Sequence, residues 1–326
     1  SGNNWIFDPG DENGIDDDGD GYVDNFVGWD VAFNDNNPIP PSNSYDHGTN
    51  VAGCVSASTD NNTGVASVGW SVKIMGINNS DDGYYITHGA NSILTAAQMG
   101  ADVINMSWGG FGGCGGYQTV VNSAYNNYGS ILVASSGNGG DNGNTNFDLH
   151  SPSSCNNVIS VSATGQNDNF GCWATAGETV DLCAPGESVW TTNVNNGYGS
   201  YWGTSFSSPI TAGAVALVLS RFPQADQDWV VDRIINNTDE FSDMESSCQG
   251  TSLAGMLGTG RLNIYKALNA GINPSLYIAD VNYLNDTDDD GVFNPGEQVK
   301  VKLIVGNEVG WADAENVTAT ISSDDD

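Results

Sequence analysis

The sequence predicts an α/β fold in which a parallel β-sheet is flanked by helices on both faces. Short runs rich in Val, Ile and Leu recur through residues 1–270, as expected for strands that are buried on both sides. Segments with helical spacing and glycine-rich breaks lie between these runs. Strands that alternate with helices favour a parallel sheet, because each crossover must return the chain to the same end of the sheet.

Five apolar runs and two helical segments define this pattern. The predicted strands are Val72–Ile77, Asp102–Ser107, Ser130–Ser136, Val158–Ala163 and Thr179–Ala184. The predicted helices are Asn91–Met99 and Tyr117–Tyr128. Active sites of such sheets lie in the loops that follow the carboxyl ends of the strands. We therefore expect the functional residues in those loops.

The pattern changes near residues 271–274, which predicts one domain over 1–272 and a second over 273–326. Short strands with polar alternation follow the boundary, at Leu276–Val281 and Gln298–Val305. This pattern is typical of the start of a small β-sandwich. Since the segment is short for a complete sandwich, we expect the second domain to be incomplete.

The charge is strongly acidic: 40 Asp and Glu face seven Lys and Arg, for a net charge of −33. Such a surface repels phosphate backbones, which argues against nucleic-acid binding, while it can hold metal cations. An apolar content of 39% argues against disorder. No apolar run reaches the length of a membrane span. We expect a monomer that acts on polypeptides, and the scarcity of Lys and Arg beside abundant Asn, Asp and Gly suggests a cold-adapted protein.

Six cysteines are compatible with an oxidising, extracellular location, although they could also be free buried thiols. Their pairing cannot be read from the sequence, because six cysteines allow fifteen connectivities. No Cys-x-x-Cys pair is present and the chain has only three histidines. A zinc site is therefore not expected.

Two short motifs contain candidate catalytic residues. His47 precedes Gly-Thr and a run with helical spacing, which places it at the start of a helix. Ser205 precedes the small and apolar run Ile210–Leu219, with Pro209 expected in the first turn of that helix. Free N–H groups and the helix dipole favour developing negative charge at such a position.

The residue types fit nucleophilic catalysis. A serine hydroxyl becomes a nucleophile when a base takes its proton, and a histidine titrates near neutrality. The attack creates an oxyanion that needs fixed donors, and Asn138 follows a predicted strand where such a donor would stand. Structural readings stay open: Ser205 and Asn138 could form turns, and His47 could serve only at a helix end.

Together the motifs resemble those of the subtilisin-like serine peptidases, the subtilases. The resemblance covers residues 1–270 and rests on His47-Gly48-Thr49, Ser136-Gly137-Asn138 and the segment Gly203-Thr204-Ser205-Phe206-Ser207-Ser208-Pro209. Further matches are the segments 104–109, 184–186 and 258–263. The resemblance implies a secreted serine endopeptidase with nucleophile Ser205, general base His47 and oxyanion donor Asn138. It also implies that Ser107, Trp108 and Gly109 form an edge strand that pairs with extended substrate.

One part of the family pattern is missing. Subtilases carry a catalytic Asp before the His, at the end of a central apolar strand, and no Asp between Ser1 and His47 has that setting. Asp30 follows Gly-Trp only 17 residues before His47. We infer that the sequence given starts downstream of the Asp motif, and we expect it to be nearly inactive alone, since loss of this carboxylate lowers the rate about 10⁴-fold. The alternative is a calcium-stabilised, non-catalytic binding or adhesive module.

Two acidic loops are predicted to bind calcium through hard oxygen ligands. The ligands of the first would be Asp16, Asp18, Asp20, Asp24 and the backbone carbonyl of Tyr22. The second fits the D-x-D-x-D-G-x5-E pattern, with ligands Asp286, Asp288, Asp290, Glu297 and the carbonyl of Val292. Either loop could instead be a solvated acidic turn. Calcium would have a structural and not a catalytic role, because it would neutralise charges that repel one another.

Overall fold

The computed structural model describes residues 12–17, 19–39, 46–139, 147, 149–271, 276–284, 300–307, 311 and 317. The helices, α1 to α6 in chain order, are His47–Ser56, Gly89–Gln98, Tyr117–Tyr128, Thr204–Arg221, Gln227–Ile235 and Ile264–Asn269. The strands β1 to β7 are Gly28–Asp30, Gly76–Asn78, Val103–Met106, Gly110–Phe111, Ile131–Ser135, His150–Ser151 and Val158–Thr164. The strands β8 to β14 are Leu182–Pro185, Val189–Asn193, Gly197–Tyr201, Ser247–Cys248, Thr251–Ser252, Leu276–Leu284 and Lys300–Asn307.

A four-stranded parallel sheet forms the centre of the fold, in the order β3, β5, β7 and β8. Its register pairs Val133 with Ile159 and Ser135 with Val161. All its ladders are parallel, so the carboxyl ends of the four strands lie at one edge. This arrangement confirms the predicted α/β fold with a parallel sheet.

Both faces of the sheet are covered, as the continuous apolar runs predicted. Along β5, Ile131 and Val133 pack with residues of α4 and α5 in one buried cluster. The alternate residues Leu132 and Ala134 pack with residues of α2 and α3 in another. Alternation of this kind explains why every residue of β5 is buried.

The sequence located most elements but misplaced some of their ends. Helix α3 has the predicted bounds, whereas α2 starts two residues before the predicted Asn91. The predicted strand Val72–Ile77 is largely wrong, because β2 starts only at Gly76. Trp70 has a left-handed backbone with φ of 61°, and a turn closes from Val72 N–H to the carbonyl of Gly69. Because of this turn, the strand begins later in the sequence than predicted. The last predicted strand of this domain is also shifted, since β8 covers Leu182–Pro185.

A second parallel pair lies beside the central sheet. β1 pairs with β2, with Asp30 opposite Asn78. Within the residues that the structure describes, no ladder joins this pair to the four-stranded sheet. The antiparallel hairpin β9–β10 contacts α1.

The C-terminal segment contains the antiparallel pair β13–β14, which confirms the two strands predicted there. Trp311 packs on the aromatic side chains of Phe222 and Trp229, with ring centroids 5.6 and 5.2 Å apart. The proposed domain boundary and the sandwich remain predictions.

Both states that the sequence allows for the cysteines, disulfide-bonded and free, occur in the structure. Cys114 bonds to Cys155 and Cys172 bonds to Cys248, while Cys54 and Cys183 are free and buried. None of the helices in the described part of the chain has the length and apolarity needed to cross a membrane.

Candidate active site

Ser205 occupies the first turn of α4, as predicted for a residue near a helix start. Gly203 precedes the helix with φ of 138°, a conformation that side-chain-bearing residues rarely adopt. Its N–H donates to the carbonyl of Gly186 at 2.8 Å, which fixes the turn to the segment after β8. The Ser205 hydroxyl donates to the carbonyl of Ser107 at 3.3 Å.

Pro209 lies in the second turn of α4 and not in the predicted first turn, because the helix already starts at Thr204. A proline has no N–H to give to the carbonyl four residues earlier, which here is that of Ser205. The hydroxyl of Ser107 donates to this carbonyl instead, at 2.8 Å. Asn105 Nδ2 donates in turn to Ser107 Oγ at 2.9 Å. The irregularity in the helix therefore links the nucleophile turn to the end of β3.

His47 begins α1, also as predicted. The helix is held by the β9–β10 hairpin, since Thr191 Oγ donates to the carbonyl of Asn50 at 2.6 Å and Thr192 Oγ to that of Thr49 at 2.8 Å. The imidazole meets the ring of Phe206, the residue after Ser205, edge-on at a centroid distance of 6.2 Å. The fold thus places His47 against the residue that follows Ser205.

The surroundings of His47 favour the neutral form of its imidazole. Although part of its surface is open to solvent, loss of solvation in dense protein surroundings lowers the pKa of its imidazole below 6.5. The negative charge of Asp46 acts in the opposite direction and raises this pKa, but its effect is smaller. A neutral imidazole can accept a proton, as a general base must.

Asn138 follows β5 in the loop where it was predicted, and Thr204 fixes its orientation. Its Oδ1 accepts hydrogen bonds from the N–H of Thr204 at 2.8 Å and from the hydroxyl of Thr204 at 2.9 Å. Both interactions hold the carbonyl end of the side chain against the residue before Ser205. The Nδ2 group is the end of the amide that can donate to a reacting group beside Ser205.

The predicted substrate segment Ser107, Trp108 and Gly109 follows β3 directly but belongs to no strand of the described structure. Trp108 packs against Tyr117, with ring centroids 5.8 Å apart. Gly109 lies against His150, since a Cβ at Gly109 would stand 2.3 Å from a ring carbon of that histidine. The hydrogen bonds between Ser107 and Ser205 place the start of the segment beside Ser205, and its pairing with substrate stays a prediction.

His150 is a site residue to which the sequence motifs assign no role. A Cβ at Gly137 would also be only 2.9 Å from its ring, so the imidazole lies between the predicted substrate segment and the loop of Asn138. Burial lowers the pKa of His150 to about 4, against a smaller opposing effect of a hydrogen bond to the backbone of Ser135. No motif in the sequence around His150 marks this position.

The orienting carboxylate for His47 is not found among the described residues. His88 and Asp81 form the one histidine–carboxylate pair in that part of the chain. Asp30 is buried and accepts hydrogen bonds from the N–H groups of Ala32 and Phe33 and from Asn78 Nδ2. These bonds give Asp30 a structural role at the end of β1, which agrees with its exclusion on sequence grounds.

The first acidic loop is only partly described, because Asp18 lies outside the described residues. The carboxylate of Asp16 accepts from the N–H groups of Gly19 and Gly21, and that of Asp24 from Asn13 and Gly14. Among the residues with described positions, no three acidic, His or Cys side chains converge on one point. The predicted ligands of the second loop, which are Asp286, Asp288, Asp290, Val292 and Glu297, all lie outside the described residues.

Comparison with known proteins decides the family. The model of the Subtilase family matches residues 12–260. The chain belongs to the subtilase family. Thermitase of Thermoactinomyces vulgaris is 38% identical over 244 residues, which cover 74% of this chain and 80% of thermitase. An extracellular protease of Xanthomonas campestris is 34% identical over 277 residues, which cover 79% of this chain and 44% of that protein.

The structural comparison agrees. A protease from Pseudoalteromonas arctica superposes with a TM-score of 0.59 and 30% identity, over 68% of this chain and 69% of the other. The chain is thus a subtilisin-like serine endopeptidase by family, which confirms the resemblance seen in the motifs.

Proposed function

We propose that this subtilase hydrolyses peptide bonds through an acyl-enzyme at Ser205. The observation that supports the proposal is that Asn138 and His47 contact the two residues on either side of Ser205. Ser205 lies in the first turn of α4, Asn138 accepts hydrogen bonds from the preceding Thr204, and the ring of His47 contacts that of the following Phe206. Side chains from three distant parts of the sequence have no other evident reason to meet at a helix start.

In the proposed mechanism, the hydroxyl of Ser205 turns from the carbonyl of Ser107 to the imidazole of His47 and gives up its proton. The oxygen then attacks the substrate carbonyl, and the new oxyanion is stabilised by Asn138 Nδ2 and by the N–H of Ser205 in the first turn of α4. His47 returns the proton to the leaving amine. A water molecule, activated by His47, hydrolyses the acyl-enzyme and regenerates the free serine.

The orienting carboxylate is proposed to come from outside the described residues. An imidazole without such a partner loses its fixed orientation and the stabilisation of its cation, which costs about 10⁴ in rate. Activity should therefore be measured on the full-length protein. The alternative, a non-catalytic binding or adhesive module, requires that the full-length protein contain no such carboxylate.

We further propose that the substrate is extended polypeptide that pairs with the backbone of Ser107, Trp108 and Gly109. The two disulfides, the extracellular relative and the acidic surface support a secreted, monomeric enzyme that does not bind nucleic acid. The two acidic loops would bind Ca²⁺ through their carboxylates and stabilise the fold.

Hydrolysis of unfolded casein by the full-length protein tests the reaction. We expect Ser205→Ala to abolish cleavage, whereas Ser200→Ala, an exposed serine on β10, should cleave like the wild type. Equal activity of the wild type and Ser205→Ala would contradict the proposal, and so would a wild-type protein that cleaves nothing.

A further inference from the structure

Three side chains form a corner beside the nucleophile, which we call the tryptophan corner: Trp173, Glu187 and Trp202. Trp202 lies three residues before Ser205 and is 63% exposed. Its ring meets that of Trp173 edge-on, with centroids 5.1 Å apart and planes at 74°. Trp173 Nε1 donates to Glu187 Oε1 at 2.7 Å. None of these residues belongs to the predicted catalytic set.

Packing against the protein interior holds Trp173, the inner residue of the corner, in place. The ring of Trp173 lies on the backbone of Gly171, where a Cβ would stand only 2.8 Å from it, and it packs on a buried cluster that includes Phe170. The hydrogen bond from the Trp173 indole to Glu187 further restricts the rotation of the Trp173 ring. A side chain that is locked in this way loses little conformational entropy when a ligand binds to it.

Backbone and ring contacts also connect the corner to the turn that contains Ser205. Glu187 follows Gly186, whose carbonyl accepts from Gly203 N–H at 2.8 Å, and Gly203 follows Trp202. Tyr201, on the other side of Trp202, stacks on Phe206 at a centroid distance of 5.6 Å. The exposed ring of Trp202 therefore belongs to the segment that leads directly into the turn of Ser205.

The chemistry of the corner favours a cation. Tryptophan has the aromatic face that attracts cations most strongly. The carboxylate of Glu187 next to Trp173 adds local negative charge, and the net charge of −33 adds a field of the same sign. An Asp or Glu side chain would be repelled by both.

We infer that the tryptophan corner binds the side chain of a Lys or Arg residue of the substrate next to the bond that is cut. That the corner lies next to the bond that is cut rests on the proposed function, whereas the binding of the Lys or Arg side chain does not. The corner would thus determine specificity without taking part in the chemical step.

Peptide cleavage by the full-length protein tests the inference. Internally quenched peptides carry Arg, Leu or Asp in turn at each position on both sides of the bond. At one position we expect kcat/KM for Arg to exceed that for Leu by about three- to fivefold, with Asp the poorest, as for an exposed cation–π contact. Trp202→Ala should reduce the Arg-to-Leu ratio to about one, and Glu187→Gln, which keeps the size of the side chain, should lower it in part.

Trp70→Ala is the matched control. Trp70 is 55% exposed and follows Gly69, which packs on Gly213, eight residues or about 12 Å along α4 from Ser205. We expect the wild-type ratio in this variant. An Arg-to-Leu ratio that Trp202→Ala and Glu187→Gln leave unchanged at every position would overturn the inference.

Calorimetric binding of the same peptides to Ser205→Ala separates this inference from the proposed function. Tighter binding of the Arg peptide that disappears in Ser205→Ala/Trp202→Ala supports the corner, even if the wild type cleaves nothing and the proposed function fails. Cleavage without a Trp202-dependent preference contradicts the corner and leaves the proposed function intact. If the peptides neither bind nor are cleaved, both are overturned.

Discussion

Ser107 and Ser205 exchange hydrogen bonds across the candidate active site. The Ser107 hydroxyl donates to the Ser205 carbonyl at 2.8 Å, and the Ser205 hydroxyl donates to the Ser107 carbonyl at 3.3 Å. The first bond is available because Pro209 cannot donate to the Ser205 carbonyl. The pair thereby fixes the nucleophile turn relative to the segment that is proposed to bind substrate.

The first prediction concerns this pair. Ser107→Ala leaves the Ser205 carbonyl without its hydroxyl donor, and an unsatisfied buried acceptor costs about 1–3 kcal/mol. We expect the free energy of unfolding to fall by that amount in guanidinium titrations. In Ser107→Ala/Pro209→Ala, the new N–H at position 209 can donate to the same carbonyl, so the double variant should be more stable than Ser107→Ala.

The wild type, Ser107→Ala, Pro209→Ala and the double variant form a double-mutant cycle. Pro209→Ala alone is the control, because it measures the change in helix propensity. Strictly additive effects of the two substitutions would show that the N–H introduced at position 209 and the Ser107 hydroxyl do not substitute for one another at the Ser205 carbonyl.

The second prediction concerns the oxyanion donor. Asn138→Ala removes Nδ2, and loss of one such donor lowers kcat about 10²–10³-fold with little change in KM. Thr204→Val removes only one of the two bonds to Asn138 Oδ1, since the N–H of Thr204 remains, and should cost roughly tenfold. Steady-state kinetics on one peptide substrate compare the two variants. If Asn138→Ala raised KM and left kcat unchanged, Asn138 would be a substrate-binding residue or a turn former.

The third prediction concerns pH. His47 acts as a base only when neutral, so kcat/KM should fall as the pH drops through its pKa, which loss of solvation in the surrounding protein lowers below 6.5. Asp46 raises this pKa by its charge and makes no capping hydrogen bond to α1. Asp46→Asn should therefore lower the pKa further and move the acid limb of the profile to lower pH.

Asp102→Asn is the control, because it removes the same charge at the amino end of β3, at the edge of the sheet away from Ser107. Measurements at low ionic strength preserve the effect of an exposed charge. An acid limb that moves to higher pH in Asp46→Asn, or that moves equally in Asp102→Asn, would contradict the assignment of His47.

The fourth prediction concerns calcium. Removal of Ca²⁺ with a chelator should lower the melting temperature, and a hundredfold excess over Kd should restore about 2.7 kcal/mol of stability. Asp16→Asn and Asp288→Asn should each weaken the response, since they change one predicted ligand in each loop. Mg²⁺ at the same concentration should replace Ca²⁺ poorly, because it demands a smaller, octahedral site. A melting temperature that is independent of Ca²⁺ would show that the loops are solvated acidic turns.

The sequence predicted the strands whose burial follows from local composition. β5 lies inside its predicted range and β7 extends one residue beyond its predicted end, because β-branched and other apolar residues dominate both segments. The start of β2 was missed because the left-handed turn at Trp70 leaves no mark in an apolar run. The early start of α4 was missed because Pro209 suggested a first turn, whereas the hydroxyl of Ser107 satisfies the carbonyl that the proline leaves free.

The residues of the candidate site also fall into two groups: those that sequence motifs predict and those that only the tertiary structure identifies. Ser205, His47 and Asn138 could be found because each lies in a short, specific motif. The support given by Thr204, the position of His150 between two glycines and the contact of Trp173 with Trp202 depend on segments that are distant in sequence. Residues of this kind carry no local signal and require the tertiary structure.

Covalent labelling with a fluorophosphonate tests the central claim most directly. The full-length protein is labelled at neutral pH, digested, and analysed by mass spectrometry to locate the adduct. The account predicts a single adduct on Ser205, strongly reduced in His47→Ala and absent in Ser205→Ala. Wild-type protein that remains unlabelled at Ser205, or carries its adduct on another residue, would contradict the assignment of Ser205 as the nucleophile.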